Sequence, residues 1–243
     1  QLDLIGRTNP GTGVHTSGPL RDALLTGGIF MLNEPDVMDP GELVKFYELL
    51  TNGIEDAETG EWLAPHKLFR CVFTFNNGGI TGLAGMFGTR GFSTALIDRF
   101  IPIEPNELSE ADMLLMCNQK IDTKVSVWND EYGVNIPNST VQSVKNALPE
   151  MIKVMRDINE AVDKSQQNDF TATNGVSLDK EMSPRALLRW CREMLRVSPT
   201  TCRNRLKKTL HEAYLHKLIA EAEQYDAVIH LAKSVFGNSW VED

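Results

Sequence analysis

The chain has 243 residues, 42% of them hydrophobic, a formal net charge of -9 and four cysteines. That length and apolar content support a substantial core in one large or two modest domains, and the acid excess argues against a dedicated nucleic-acid surface. No run approaches the roughly 18 apolar residues that span a bilayer, and no charged-then-apolar leader opens the chain, so a cytoplasmic protein with no membrane partner is expected.

In chain order, Gln1 leads straight into Leu2-Asp3-Leu4-Ile5, as if the chain were cut from something longer. Residues 6–18 are rich in turn formers and predict an exposed hairpin or loop. Within them, Pro10-Gly11-Thr12-Gly13 has the look of a phosphate-binding loop, but Val14 and His15 stand where Lys and Thr belong. That reading is rejected. Pro19-Leu20 with Ala23-Leu24-Leu25 predicts a short helix leading into Gly27-Gly28-Ile29-Phe30-Met31-Leu32-Asn33-Glu34. This small-residue turn and apolar run, closed by two polar residues, predicts a buried central strand of a parallel sheet. In such sheets ligands sit beyond the carboxyl ends of the strands. Glu34 is therefore a candidate general base, and Asn33 a candidate oxygen donor near a metal-bound phosphate.

Asp39-Pro40 predicts a helix start, with Leu43, Phe46, Tyr47 and Leu50 as its apolar stripe and Asn52-Gly53 as its end. The Glu58-Thr59-Gly60-Glu61 turn between Ile54 and Trp62-Leu63 predicts a small hairpin. Residues 69–77 then predict a second buried strand ending in the amides Asn76-Asn77. After a glycine-rich loop at 78–91, a short helix at 93–99 delivers Asp98-Arg99 to a predicted short strand, Phe100-Ile101-Pro102-Ile103.

Beyond Glu104 the periodicity is helical. Helices are predicted at 107–118 and at 141–162, with Pro149 either kinking the second or opening a new helix. A surface loop follows at 164–175, then a helix capped by Ser183 with Pro184 in its first turn. A last helical region at 200–236 aligns Leu206, Leu210, Leu218, Ala222, Tyr225 and Ile229. Arg203, Arg205, Lys207 and Lys208 are read as a solvated helix face. Cys71, Cys117, Cys191 and Cys202 form no CxxC pair and no zinc spacing, and are read as buried thiols. His211 and His216, five apart, are out of helical register for a shared metal.

Four of these segments, in this order, resemble AAA+ ATPases of the clade that includes the MoxR-type ATPases and magnesium chelatase, most nearly the AAA+ subunit of aerobic cobalt chelatase. Residues 27–34 resemble the Walker B strand, residues 69–77 the sensor 1 strand, Ala95-Leu96-Ile97-Asp98-Arg99-Phe100 the arginine-finger segment, and Met182-Ser183-Pro184-Arg185 the start of the sensor 2 helix. The resemblance implies an α/β AAA+ P-loop NTPase core over residues 1–104, incomplete at its N-terminus, and a helical lid with C-terminal helices over 105–243. It implies ATP and Mg2+ as nucleotide and cofactor. Glu34 would polarise the attacking water, Asn33 would stand near the metal, and Asn76 would orient the water or touch the γ-phosphate. Arg99 would reach the nucleotide of a neighbouring subunit, and Arg185 that of its own. A self-assembled ring, expected as a hexamer, and a partner protein to be remodelled follow from the same likeness.

Two departures qualify it. Asn33 stands where the family has aspartate, which removes a negative charge from the metal's surroundings. No GxxxxGK[ST] occurs in the sequence, and family order places that loop before residue 1. A degenerate, non-hydrolysing subunit with a structural or assembly role, phage-encoded as some homologues of the chelatase subunit are, is the alternative. Each of these residues also has a plain reading: a polar turn after the strand for Asn33 and Glu34, a local ion pair for Asp98 and Arg99, a surface side chain for Arg185, a turn former for Asn76.

Overall fold

The computed structural model describes residues 2–35, 38, 46, 49, 50, 52–75, 97–103, 105–169 and 171–241. The chain divides into two units, Gln1–Pro105 and Asn106–Asp243.

In the first unit, α1 (Leu2–Ile5) runs into a hairpin of β1 (Gly6–Thr8) and β2 (His15–Ser17). Its connection closes on Asn9, whose carbonyl accepts from Gly13 N at 2.8 Å while its own N–H donates to Val14 O at 2.9 Å. The glycine-rich tetrapeptide is thus a hairpin turn. Helix α2 (Pro19–Thr26) starts on Pro19, whose missing N–H has no intrahelical acceptor to lose, and stops at Gly27, which takes the left-handed conformation at φ 80°. β3 (Ile29–Asn33) follows. The predicted small hairpin is β4 (Ile54–Glu55) with β5 (Trp62–Leu63), and β6 (Arg70–Thr74) pairs in parallel with β3, Ile29 opposite Arg70 and Asn33 opposite Thr74.

The core of this unit joins Leu20 and Leu24 of α2, Phe30 of β3, Leu63 of β5, and Ile5, Phe46, Leu49 and Phe69. β3 departs from the expected doubly covered strand: Phe30 is buried, but Ile29 is 71% and Met31 57% exposed. The pleat sends alternate side chains to opposite faces, and only the Phe30 face meets the core. The strand expected at residues 100–103 does not form. Pro102 withholds an N–H, and Ile101 and Ile103 are 87% and 86% exposed. Phe100 instead stacks on Phe73 of β6 with ring centroids 4.5 Å apart.

A polar clamp ties α2 to the second hairpin. Arg21 donates to buried Asp56 at 2.6 Å and pairs with Glu61. Asp56 also accepts from Glu58 N at 3.0 Å. Burial pushes its carboxyl up, but the hydrogen bonds from Glu58 and Thr59 and the nearby charges of Arg21 and His15 outweigh that and hold it below the usual carboxylate range.

The second unit is helical. α3 (Glu110–Tyr132) is capped by Ser109, which accepts from Asp112 N at 3.1 Å, and ends at Gly133. It starts later and runs well beyond the expected 107–118, because Cys117, Ile121, Val125 and Trp128 continue the inward stripe through a polar stretch. α4 (Asn138–Gln166) continues through Pro149, losing one ladder bond without a new start, and takes in the first residues of the loop expected at 164–175. α5 (Pro184–Arg196) follows its predicted Ser183 cap. The last region is broken into α6 (Arg205–Ala213), a 3-10 turn (Leu215–Leu218) and α7 (Ala222–Phe236). α7 buries Ala227, Val228, Leu231, Ala232 and Phe236; of the residues expected inward, Tyr225 and Ile229 pack against the core partly buried, and Ala222 is exposed.

Arg205 corrects the solvated-face reading of the basic patch. It is buried, donating to Ser143 Oγ of α4 at 2.5 Å and to Met194 O at the end of α5. Its guanidinium satisfies an end-of-helix carbonyl that has no intrahelical partner. Of the cysteines, Cys117 and Cys191 are buried, but Cys71 and Cys202 are only half-buried, and all four are free thiols. Burial pushes the Cys71 thiol up to about 12, which makes it unreactive.

Candidate functional site

β3 and β6 run side by side in the same direction, so their last residues meet at one carboxyl edge. There Thr74 Oγ1 donates to Asn33 Oδ1 at 2.7 Å, and Glu34 N donates to Thr74 O at 2.6 Å. Glu34 takes a left-handed conformation at φ 53°, unusual for a residue with a side chain. The chain therefore turns sharply as it leaves the sheet, and the backbone bond to Thr74 holds that turn. Asn33, Glu34 and Thr74 are all exposed. Thr74 is the participant that motif reading missed; its signal was its place opposite Asn33 once the two strand ends are aligned.

Asn33 Oδ1, the Glu34 carboxylate and Thr74 Oγ1 are hard oxygen donors, the chemistry that hydrated Mg2+ accepts through one or two protein groups. They fit such an ion at the level of a single carboxylate. Among the described residues no group of three or more His, Cys, Asp and Glu could hold a metal ion.

Asn76 lies outside the described residues, two positions beyond Thr74. Arg99 is exposed on a turn whose Phe100 N bonds Ile97 O at 3.0 Å and whose Phe100 ring rests on β6. Arg185 belongs to the second unit, exposed in the first turn of α5.

The start of α5 is held by contacts that no motif announced. Met182 N donates to Asn159 Oδ1 of α4 at 2.8 Å, and Asn159 Nδ2 donates to Met182 O at 3.3 Å. Upstream, Leu178 N donates to Ser165 Oγ at 3.0 Å and Tyr214 Oη donates to Lys180 O. Residues 178–182 thus form an extended strap pinned at three points. Ser183 then accepts from Ala186 N at 3.3 Å, and Pro184 sets the first turn. Asn159 thus holds the backbone that leads into Arg185.

Among the described residues no helix is long and apolar enough to cross a membrane. Residues 135–239 match the family model of the midasin AAA lid domain, which indicates an AAA+ ATPase lid domain over most of the helical unit. The mixed α/β arrangement, with small sheets before the helices, fits the AAA+ fold in general. No curated protein matches the chain.

Proposed function

We propose that the chain is a cytoplasmic AAA+ ring subunit of the MoxR and chelatase kind, which binds and hydrolyses ATP with Mg2+ and uses the cycle to remodel a partner protein. The observation that carries this reading is Asn33 and Glu34 at the shared carboxyl edge of two parallel strands, in a chain whose later residues match an AAA+ lid. Glu34 accepts a proton from the attacking water; the Thr74 bond to its backbone fixes where that carboxylate starts. Asn33 offers an amide oxygen beside it. Bound Mg2+ supplies charge neutralisation at the transferring phosphoryl group, and most of the remaining work is positioning. Arg99, exposed on its turn, serves the nucleotide of a neighbouring copy, and Arg185 couples the lid to the nucleotide of its own.

A second reading, a non-hydrolysing subunit with an assembly role, is favoured by the Asn33–Thr74 bond. It makes Asn33 a strut between strands, with no charge to hold a metal's water shell. Glu34→Gln in the full chain separates the two. For a motor, steady-state ATP hydrolysis falls by about a hundredfold or more while nucleotide binding persists, the loss expected when a general base is removed. Hydrolysis that is absent in the native chain, or unchanged by the substitution, removes the motor and leaves the assembly role.

A further inference from the structure

The outer face of α5 is a stripe of arginine. Arg185, Arg189, Arg192 and Arg196 are all exposed and are spaced four, three and four apart, which lays them along one side of the helix over about 16 Å. The opposite side, with Leu187, Trp190, Cys191 and Met194, fills the core. Arg192 and Arg196 share the carboxylate of Glu193 at 3.0 and 2.9 Å, which splays them in place. Arg189 has no hydrogen-bonding or ionic partner among the described residues.

The same unit carries a surface of the opposite sign. A groove of about 990 Å3 runs along α4 between residues 107–113 and the start of α5, floored by Met113, Met155 and Val235. Glu150, Asp157, Glu160, Asp163 and Glu181 line it against the basic groups Lys153 and Arg156. Arg156 is already spent on Glu110 at 2.9 Å. Glu160 is paired with Lys164 at 2.6 Å, which leaves Glu150, Asp157, Asp163 and Glu181 with Lys153 as the one uncommitted cation lining the groove among the described residues. Burial, with the charge of Glu160 added and that of Lys153 offsetting only part, holds the Asp157 carboxyl above its ordinary range. Glu150 Oε2 is buried with no hydrogen bond among the described residues. A cation brought into the groove would relieve both.

We propose that Arg189, Arg192 and Arg196 of one copy dock into the acidic groove of a second copy. A guanidinium matches a carboxylate in charge and in its two-pronged geometry, and the groove's apolar floor suits the arginine stems. None of Arg189, Arg192 and Arg196 lines the groove of its own copy, so the complementarity is satisfied only between copies. The contact is heterologous, joining different surfaces, which propagates into a ring if the rotation closes. The inference rests on the reading of the chain as a self-assembling subunit and names the surfaces that join.

The test is sedimentation velocity of the full chain at about 50 and 500 mM salt, native and as the Arg189→Glu and Asp163→Lys variants, singly and mixed. Both sites are exposed, so the folded unit tolerates them, with circular dichroism as the check. Native association weakens with salt, and each variant alone associates about tenfold or more weakly than native at low salt. An equal mixture of the two regains a heterodimer at near-native affinity, because one copy brings an intact groove and the other an intact stripe. Native association with unaffected variants, or no recovery on mixing, overturns the docking while the ring reading stands. A native chain that stays monomeric at every concentration, with and without ATP, overturns both.

Discussion

The helical unit is held by one continuous apolar core, and the described residues of the first unit by a smaller cluster joined to a polar clamp. α4 alone contributes an inward stripe from Val144 through Leu148, Ile152, Met155 and Ile158 to Val162, onto which α3, α5 and α7 pack. The strands of the first unit are two to five residues long, and the described core they enclose is a single small cluster around Leu24, Phe30 and Leu63. There the Arg21–Asp56–Glu61 clamp and the turn bonds around Asn9 carry what a longer apolar stripe would. The difference bears on function. Arg185 inherits its position from a strap fastened to a deep core, while Asn33 and Glu34 ride on a strand pair with one open face.

The effect expected to reach both stability and nucleotide binding is on the strap. Asn159→Ala removes both bonds to Met182 and leaves a buried backbone N–H and C=O without partners, a cost of about 1–3 kcal/mol. Amide exchange reports each unit separately, and the loss of protection should fall on α5 and residues 178–182. On the role proposed for Arg185, nucleotide affinity should fall in Arg185→Ala and in Asn159→Ala alike, and the two substitutions combined should be less than additive. Full additivity would mean that the strap serves stability alone.

A smaller effect separates the units by acidity. The depressed Asp56 carboxyl binds its proton less readily folded than unfolded, so its contribution is present above the ordinary carboxylate value near 3.8 and is lost as pH falls through the folded value below it. Acidification in that window should loosen the hairpin amides of Asp56 and Glu61 before those of α4. Asp56→Asn should flatten that dependence in exchange data corrected for intrinsic rates. A dependence that survives the substitution would place the acid sensitivity elsewhere in the unit.

The elements that were legible in the sequence are those whose signals are local. Ser183-Pro184, Pro19 with Gly27, and the Glu58–Gly60 turn each name their boundary through capping or turn chemistry, and the structure follows them. The two strands were legible as apolar runs that close on polar residues. Long-range partners were not. Nothing near Asn159 in sequence announces Met182, and Arg205 reads as surface charge until α6 folds against α4 and α5. In the 200–236 region one apolar period was carried across two breaks; it placed Leu206, Leu210, Leu218, Tyr225 and Ile229 against the core, but it missed Val228, Leu231 and Phe236. Asn33 and Glu34 could be proposed from the strand they end; Thr74 could not, because a hydroxyl gains its role only from register.

The smallest expected effect tests the open face itself. Ile29 is 71% exposed on the side of β3 away from the core, so Ile29→Ser removes little buried area and should change stability by less than about 0.5 kcal/mol, as ordinary surface substitutions do. Phe30→Ala, one residue along and buried, should cost about 3–5 kcal/mol by the cavity it opens. The contrast between neighbours is the physical content of a strand with one covered face. It is read as the difference in denaturant midpoint between the two variants at one protein concentration. A cost above about 1.5 kcal/mol for Ile29→Ser, especially one that grows with protein concentration, would mean that this face is covered in solution. The comparison between the units would then change: the first unit would draw part of its core from outside its own described residues, and the Glu34 turn would sit at the edge of a completed sheet.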